Sequence, residues 1–286
     1  MEVLIVGASG YLGKRAYLYF KNKYDKVIGT YHTNKIDNSM ISFDITKDDI
    51  ENIKFGGTDK CAIICAAEAK YDACKIRNTE SFRLNVTSTI EVIKKLKALG
   101  YYIIFCSTEA VYEGTKGNYK ETDEANPVNE YGRMKLQVEQ YITKHYPDMC
   151  VFRLSKMIGD IDSKRDTLCE WKKMASSKED IYCIKGNYFS PVDVEDVVKC
   201  IEIACLKKVG GIYNICGNKI YSRAELCRDF LRAVELNTNV YEKEVGEFGF
   251  CAARPLNVGM SNKKAVHTLE FIFNDMKKIF ERYRDI

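Results

Sequence analysis

Residues 3–20 read VLIVGASGYLGKRAYLYF. An apolar run ends at Gly7, further glycines stand at Gly10 and Gly13, and a segment of helical period follows at once. A strand that turns through glycines into a helix brings unpaired backbone N–H groups and the positive end of the helix dipole to one point, where a pyrophosphate can bind. One glycine supplies a positive φ, and the others let the backbone approach the phosphate and the helix approach the strand. The spacing is G-x-x-G-x-x-G rather than G-x-G-x-x-G, so it matches the dinucleotide fingerprint in mechanism and not in letter. Gly7, Ser9, Gly10, Tyr11, Leu12 and Gly13 are the residues expected to hold a dinucleotide.

The same alternation continues along the chain. EVLIVG, DKVIGTYH, MISFD, CAIICAA, YYIIFCS and MCVFRLS read as strands, and residues 12–23, 79–98 and 131–145 carry the clearest helical pattern. Strands that alternate with helices predict an α/β protein with a doubly wound, Rossmann-like parallel sheet, because right-handed crossovers cover both faces. Beyond residue 155 the rhythm loosens, with a return toward the sheet around NYFSPVDVEDVVKCIEIACL and GGIYNICG. The expected division is a dinucleotide-binding domain over 1–155 with a return segment at 190–217, and a smaller substrate lobe from 156–189 and 218–286.

Composition narrows the function. The chain has 286 residues, 46% of them hydrophobic, enough to bury a large core. Its charge of +4 is a small difference between 44 basic and 40 acidic residues, which gives no footprint for nucleic acid. Twelve cysteines lie mostly within apolar runs and form no Cys-x-x-Cys pair, as expected of reduced buried thiols in the cytoplasm. The three histidines are scattered, so no metal site is expected. The N-terminal run lacks a basic leader and no apolar run approaches ~20 residues, so neither a membrane span nor export is expected.

At the end of the second strand no acid is present to hold a free ribose 2′-hydroxyl. His32 and Lys35 stand there instead, with Lys14 and Arg15 just after the glycines. Positive charge at that point suits a 2′-phosphate, so NADP(H) is the expected cofactor, with NAD(H) left open.

A second stretch, YGRMK at 131–135, pairs Tyr131 with Lys135. Spacing alone has little force, since Tyr17/Lys21, Tyr19/Lys23, Tyr31/Lys35, Tyr71/Lys75 and Tyr112/Lys116 share it. Setting separates them. Tyr131 opens a helix after the strand that ends at Cys106–Thr108, so both can reach the C-terminal sheet edge, where open α/β sheets bind ligands. Residues four apart share a helix face, which places Lys135 beside Tyr131.

These segments, together with FDI at 43–45, CAA at 65–67, RLNV at 83–86, FCSTEAVYEG at 105–114, NPVNEYGRMKLQVEQY at 126–141, FRLSKMIG at 152–159, SPVDVEDVV at 190–198 and ARPLNVGMSNKKA at 253–265, carry a resemblance that runs over nearly the whole chain. The sequence resembles the extended short-chain dehydrogenase/reductases, and among them most the dTDP-4-dehydrorhamnose reductase group. The resemblance implies Tyr131 as proton donor, Thr108 as the hydroxyl that orients a carbonyl, and Lys135 as the ammonium that favours the phenolate and holds the nicotinamide ribose. Asp44 and Ile45 would border the adenine, and Ala66 and Ala67 would leave room for the cofactor. Glu109 stands where the reductases have Asp, and Ala110 lacks both the second acid of the 4,6-dehydratases and the aromatic of the reductases. Glu109, Tyr71 and Arg254 are the expected substrate contacts. The function implied is NADP(H)-dependent reduction of the 4-keto group of a nucleotide-linked deoxysugar. A nucleotide-sugar 4-epimerase, a non-catalytic nucleotide-binding regulatory subunit and a homodimer remain open.

Overall fold

The structure, a computed structural model, describes residues 1–53 and 56–284. In chain order the regular elements begin β1 (Glu2–Val6), α1 (Tyr11–Lys21), β2 (Val27–Tyr31), β3 (Ile41–Ser42), β4 (Lys60–Ile64), α2 (Tyr71–Ile76), α3 (Asn78–Phe82), α4 (Thr89–Ala98) and β5 (Tyr102–Thr108). They continue with α5 (Glu130–His145), β6 (Cys150–Leu154), β7 (Met157–Ile158), α6 (Thr167–Ser176), β8 (Ile181–Ile184), β9 (Tyr188–Phe189) and β10 (Val192–Asp193). The chain then runs through α7 (Val194–Lys207), β11 (Gly211–Ile215), β12 (Tyr221–Ser222), α8 (Arg223–Ala233), β13 (Val240–Lys243), α9 (Lys263–Leu269) and α10 (Met276–Glu281).

Seven strands form the central parallel sheet in the order β11-β6-β5-β4-β1-β2-β3. β1 lies between β2 and β4, with Val3 opposite Val27 on one side and Cys61 on the other. The chain winds outward from β1 through β2 to β3, then crosses back and winds through β4 to β6. The C-terminal ends of β1 and β4 therefore flank the point where strand order reverses, the position at which such sheets bind ligands. Val3, Leu4, Ile5 and Val6 of β1 and Ile63 and Ile64 of β4 are fully buried, as continuous apolar strands covered on both faces must be.

The chain forms two compact units: residues 1–108, 130–153 and 198–213 make the first, and 109–129, 154–197 and the chain from 214 onward make the second. The second unit packs Leu168, Trp171, Phe230, Phe280 and Tyr283 into its own core. Its α8 starts with a capping box, in which Ser222 accepts from the Glu225 N–H and Glu225 reaches back to the Ser222 N–H. Among the described residues no helix is long and apolar enough to cross a membrane.

Two sequence expectations change in detail. The strand MISFD is paired only at Ile41–Ser42. The single helix expected over 79–98 is interrupted: α3 and α4 are joined by a π-type turn over Arg83–Ser88. The cause lies in the buried Asn85, whose side chain accepts from the Glu68 N–H and donates to the Glu68 carbonyl, both at 2.9 Å. A polar side chain that must reach a neighbouring loop distorts the helix carrying it, as π-type turns at functional positions commonly do.

Candidate active site

The glycine turn behaves as its sequence requires. Gly7 has φ +88, and a Cβ there would lie 2.6 Å from the Ala66 backbone nitrogen, so both conformation and space exclude a side chain. Its N–H is held by the Thr30 hydroxyl at 3.0 Å. A Cβ on Gly13 would press to 2.2 Å on the Gly7 carbonyl, so Gly13 lets α1 seat against the turn. Gly10 differs: the nearest atom to a Cβ there is the Gly7 oxygen at 3.4 Å, and as N-cap it closes no N–H of α1 with a side chain. No acid occupies the first turn of α1. A face without side chains, an uncapped dipole end and no competing acid fit a pyrophosphate.

Beyond the end of β2, His32 and Lys35 are exposed. Asp44 is occupied with its own turn: it accepts from the Thr46 hydroxyl and N–H, and Lys47 and His32 lie 3.1 and 3.7 Å away. Hydrogen bonds from Thr46 and then Lys47 hold its carboxyl down at about 2. Ile45 and Thr46, with Arg83, Thr87, Val92 and others on the facing helical segments, line a cavity of about 290 Å³.

The first unit brings Thr108, Tyr131 and Lys135 together at the end of β5. All are buried, at 8%, 8% and 2% exposure. The Thr108 hydroxyl is near enough to the Tyr131 phenol to lower its proton affinity. Burial is the leading influence on Tyr131 and pushes its proton affinity well above that of a free tyrosine; the nearby Tyr71, Cys74 and Cys106 add to this, and Thr108 opposes it. Lys135 donates to the Cys106 carbonyl at 2.7 Å and its ammonium lies 4.4 Å from the Phe105 ring centroid. Burial lowers it to about 8, against the pull of Cys106, Cys65, Glu139 and Cys74. Burial thus strengthens the hold of the phenol on its proton, and the opposing influence of Thr108 is smaller. The Tyr71 ring stacks on Tyr131, centroids 5.6 Å apart. Ala66 and Ala67 follow β4, and the Cys65 and Cys106 sulfurs stand 3.6 Å apart at the ends of β4 and β5.

Of the five rival pairs, Tyr71/Lys75 lies on α2 beside the site, and the other four are placed elsewhere. Tyr17 and Lys21 both bind Asp37. Tyr19 and Lys23 meet on Glu202. Tyr112 donates to Asn214 and to the Lys120 carbonyl. Tyr31 closes a strand, so it shares no helix face with Lys35.

In the second unit Glu109 accepts from the Ser155 hydroxyl at 2.5 Å. Burial raises it to about 7 despite that bond and the Lys156 charge. Lys156 is lowered in turn, first by burial and then by Arg223. Arg254 lies with its guanidinium 4.1 Å from the Phe250 ring centroid. Sequence reading passed over Glu139, Arg153 and Ser107, which form a buried network in the first unit. The signals were there: an arginine inside an apolar strand, and a glutamate in helical step with Tyr131 and Lys135.

A glycine turn at the switch point of a doubly wound sheet, with a buried Thr/Tyr/Lys set at the end of β5, defines an extended short-chain dehydrogenase/reductase. The chain matches the RmlD substrate binding domain over residues 1–285, and it belongs to that family. It is similar to a hypothetical dTDP-4-dehydrorhamnose reductase from Sulfolobus tokodaii, at 26% identity and a TM-score of 0.86, covering 98% of this chain and 99% of that one. A dTDP-4-dehydrorhamnose reductase from Bacillus anthracis, solved in complex with NADP, shares the fold at 22% identity and a TM-score of 0.83, covering 99% of each chain. Among curated relatives, methionine adenosyltransferase 2 subunit beta from Danio rerio is 28% identical over 166 residues, 58% of this chain. The match spans about half of that relative, 51% of its length.

Proposed function

We propose that the protein is an NADP(H)-dependent reductase of the 4-keto group of a nucleotide-linked deoxysugar. The observation that carries this reading is the convergence of Thr108, Tyr131 and Lys135, all buried, at the end of β5. The cofactor, when bound, supplies the hydride for the carbonyl carbon. Gly7, Ser9, Gly10, Tyr11, Leu12 and Gly13 would hold its pyrophosphate, His32 and Lys35 its 2′-phosphate, Asp44 and Ile45 its adenine side, and Ala66, Ala67 and Lys135 its remaining length.

Reduction also needs a proton on the carbonyl oxygen. Tyr131 carries its proton at neutral pH, the state a proton donor must have, and burial strengthens that hold. Thr108, close to that phenol, would orient the same oxygen and stabilise charge that develops on it. Lys135, buried one helical turn from Tyr131, would lower the cost of the phenolate left when the proton departs. Tyr71, Glu109 and Arg254 are the proposed substrate contacts.

The test is oxidation of NADPH and NADH, in parallel, against a panel of nucleotide-activated 4-keto-6-deoxysugars. Stoichiometric oxidation with one panel member is expected, with NADPH preferred. Nucleotide binding without oxidation of either cofactor would refute the reading. One observation favours a second: the curated relative is named as a subunit of methionine adenosyltransferase. On that reading the chain binds a nucleotide and partners another enzyme, and a stable complex with a methionine adenosyltransferase would support it.

A further inference from the structure

Glu139 stands one turn beyond Lys135 on α5 and is 1% exposed. Two strands bind its carboxylate. Arg153 of β6 donates Nη2–H and Nε–H to Oε2 at 2.7 and 3.0 Å, with Nε also 3.3 Å from Oε1. The Ser107 hydroxyl of β5 donates to Oε1. Ser107 lies between Cys106, whose carbonyl receives the Lys135 ammonium, and Thr108, whose hydroxyl meets Tyr131. One carboxylate thus ties the residue between both contacts of the set to the helix that carries Tyr131 and Lys135.

Stability does not explain such a group. Ser107 and Arg153 are each 4% exposed, and replacing a buried ion pair by apolar residues of similar volume is often neutral or stabilising. What an ion pair with several directed hydrogen bonds adds is a fixed geometry. We propose that Glu139, bound by Ser107 and Arg153, is a positioning residue that fixes the end of β5 against α5, so that the Cys106 carbonyl and the Thr108 hydroxyl meet Lys135 and Tyr131. This rests on the reductase reading of that set.

The network also has an electrostatic side. Lys135 faces the Cys106 thiol and the Phe105 ring from β5, Cys65 from the end of β4, Cys74 from α2 and Glu139 from its own helix. Glu139 raises the proton affinity that burial lowers, and Arg153 sits on its far side. Neutralising Glu139 leaves Arg153 unbalanced and moves Lys135 further down.

The experiment compares Glu139→Gln, Ser107→Ala and the paired Glu139→Met/Arg153→Met with the native chain. Glu139→Gln keeps shape and an acceptor oxygen but removes the charge. In it the Lys135 titration, followed by NMR of ¹³Cε-labelled lysine and assigned by its loss in Lys135→Met, is expected to move to lower pH by about one unit. Turnover is expected to fall about tenfold in Glu139→Gln and Ser107→Ala, with KM for NADPH within about twofold. The paired Met variant is expected to regain thermal stability but not turnover, whereas a merely structural pair would regain both. An unchanged Lys135 titration in folded Glu139→Gln, or recovered turnover in the paired variant, overturns the proposal. Should Glu139→Gln not fold, Ser107→Ala and the paired variant decide by the same turnover criteria. Should the native chain reduce no panel substrate, the reductase reading falls alone, and the Lys135 titration still decides whether Glu139 governs that lysine.

Discussion

Tyr19 on α1 with Lys23 just past its end, and Tyr131 with Lys135 on α5, have the same spacing, yet their lysines titrate in opposite directions. Lys23 donates to the Tyr19 hydroxyl at 3.0 Å and to Glu202 at 2.9 Å, and these bonds raise its proton affinity. Glu202 also accepts from Tyr19 and Tyr24, so the lysine serves as one arm of a junction between α1 and α7. Lys135 is bound by a neutral carbonyl within the protein interior, and burial lowers it to about 8. A satisfied charge at the surface holds structure; a desolvated one can change protonation during a reaction. The spacing brings lysine to tyrosine in both places, and the surroundings decide what the pair can do.

The sharpest way to break this comparison is a matched pair of substitutions. Tyr131→Phe is expected to lower turnover by on the order of 10²–10⁴-fold with cofactor affinity within a few-fold, since it removes the proton donor and little else. Tyr19→Phe should leave turnover within about twofold. Near-normal turnover in Tyr131→Phe would falsify the role given to that phenol.

Lysine titration provides the next contrast. The Lys135 ammonium is present below about 8 and is lost above it. Reductase turnover should therefore fall as pH rises past about 8, approaching tenfold per pH unit if the charge is required. Lys23→Met should leave that profile where it is.

Glu109 extends the contrast to an acid. Its folded value, about 7, lies above the usual 4.5, so the folded chain holds a proton that the unfolded chain releases between those values. Stability is full below 4.5 and declines as pH rises through about 7. Glu109→Gln removes that decline, and thermal unfolding at pH 8 should find the variant more stable by up to ~3 kcal/mol, with the difference vanishing near pH 4. The smallest effect belongs to the surface junction: Glu202→Gln should cost about 1–3 kcal/mol in denaturant unfolding and leave the pH–rate profile unmoved.

The glycine turn, the parallel strands and the YGRMK helix were legible because each is local: apolar period, turn residues and a helix start are written within a few consecutive positions. The Asn85 turn was not, since RLNV has helical period throughout and the distortion comes from Glu68, 17 residues away. The Glu139–Arg153–Ser107 network escaped for the same reason: its members lie on three elements, and only folding sets them within bonding distance. The direction of the Tyr131 shift was also hidden. A lysine four residues on argues for release of the phenolic proton, whereas the depth of burial, which no local pattern records, argues for retention and prevails in the chain alone.

The turn at Arg83–Ser88 bears on how this segment tolerates changes of length. A π-type turn is in effect a helix carrying one residue more than its axis needs. Deleting one residue after Asn85 would let α3 and α4 join as a continuous α-helix, an improvement in local geometry. The flanking segments would keep their faces, since the π-type turn already absorbs the extra residue, but the widened turn that carries Asn85 would close. Asn85 would swing away from Glu68, and the loop that follows β4 would lose both hydrogen bonds that pin it to this helix. Shortening here regularises the helix and frees the loop, so local propensity and the site pull in opposite directions at this turn.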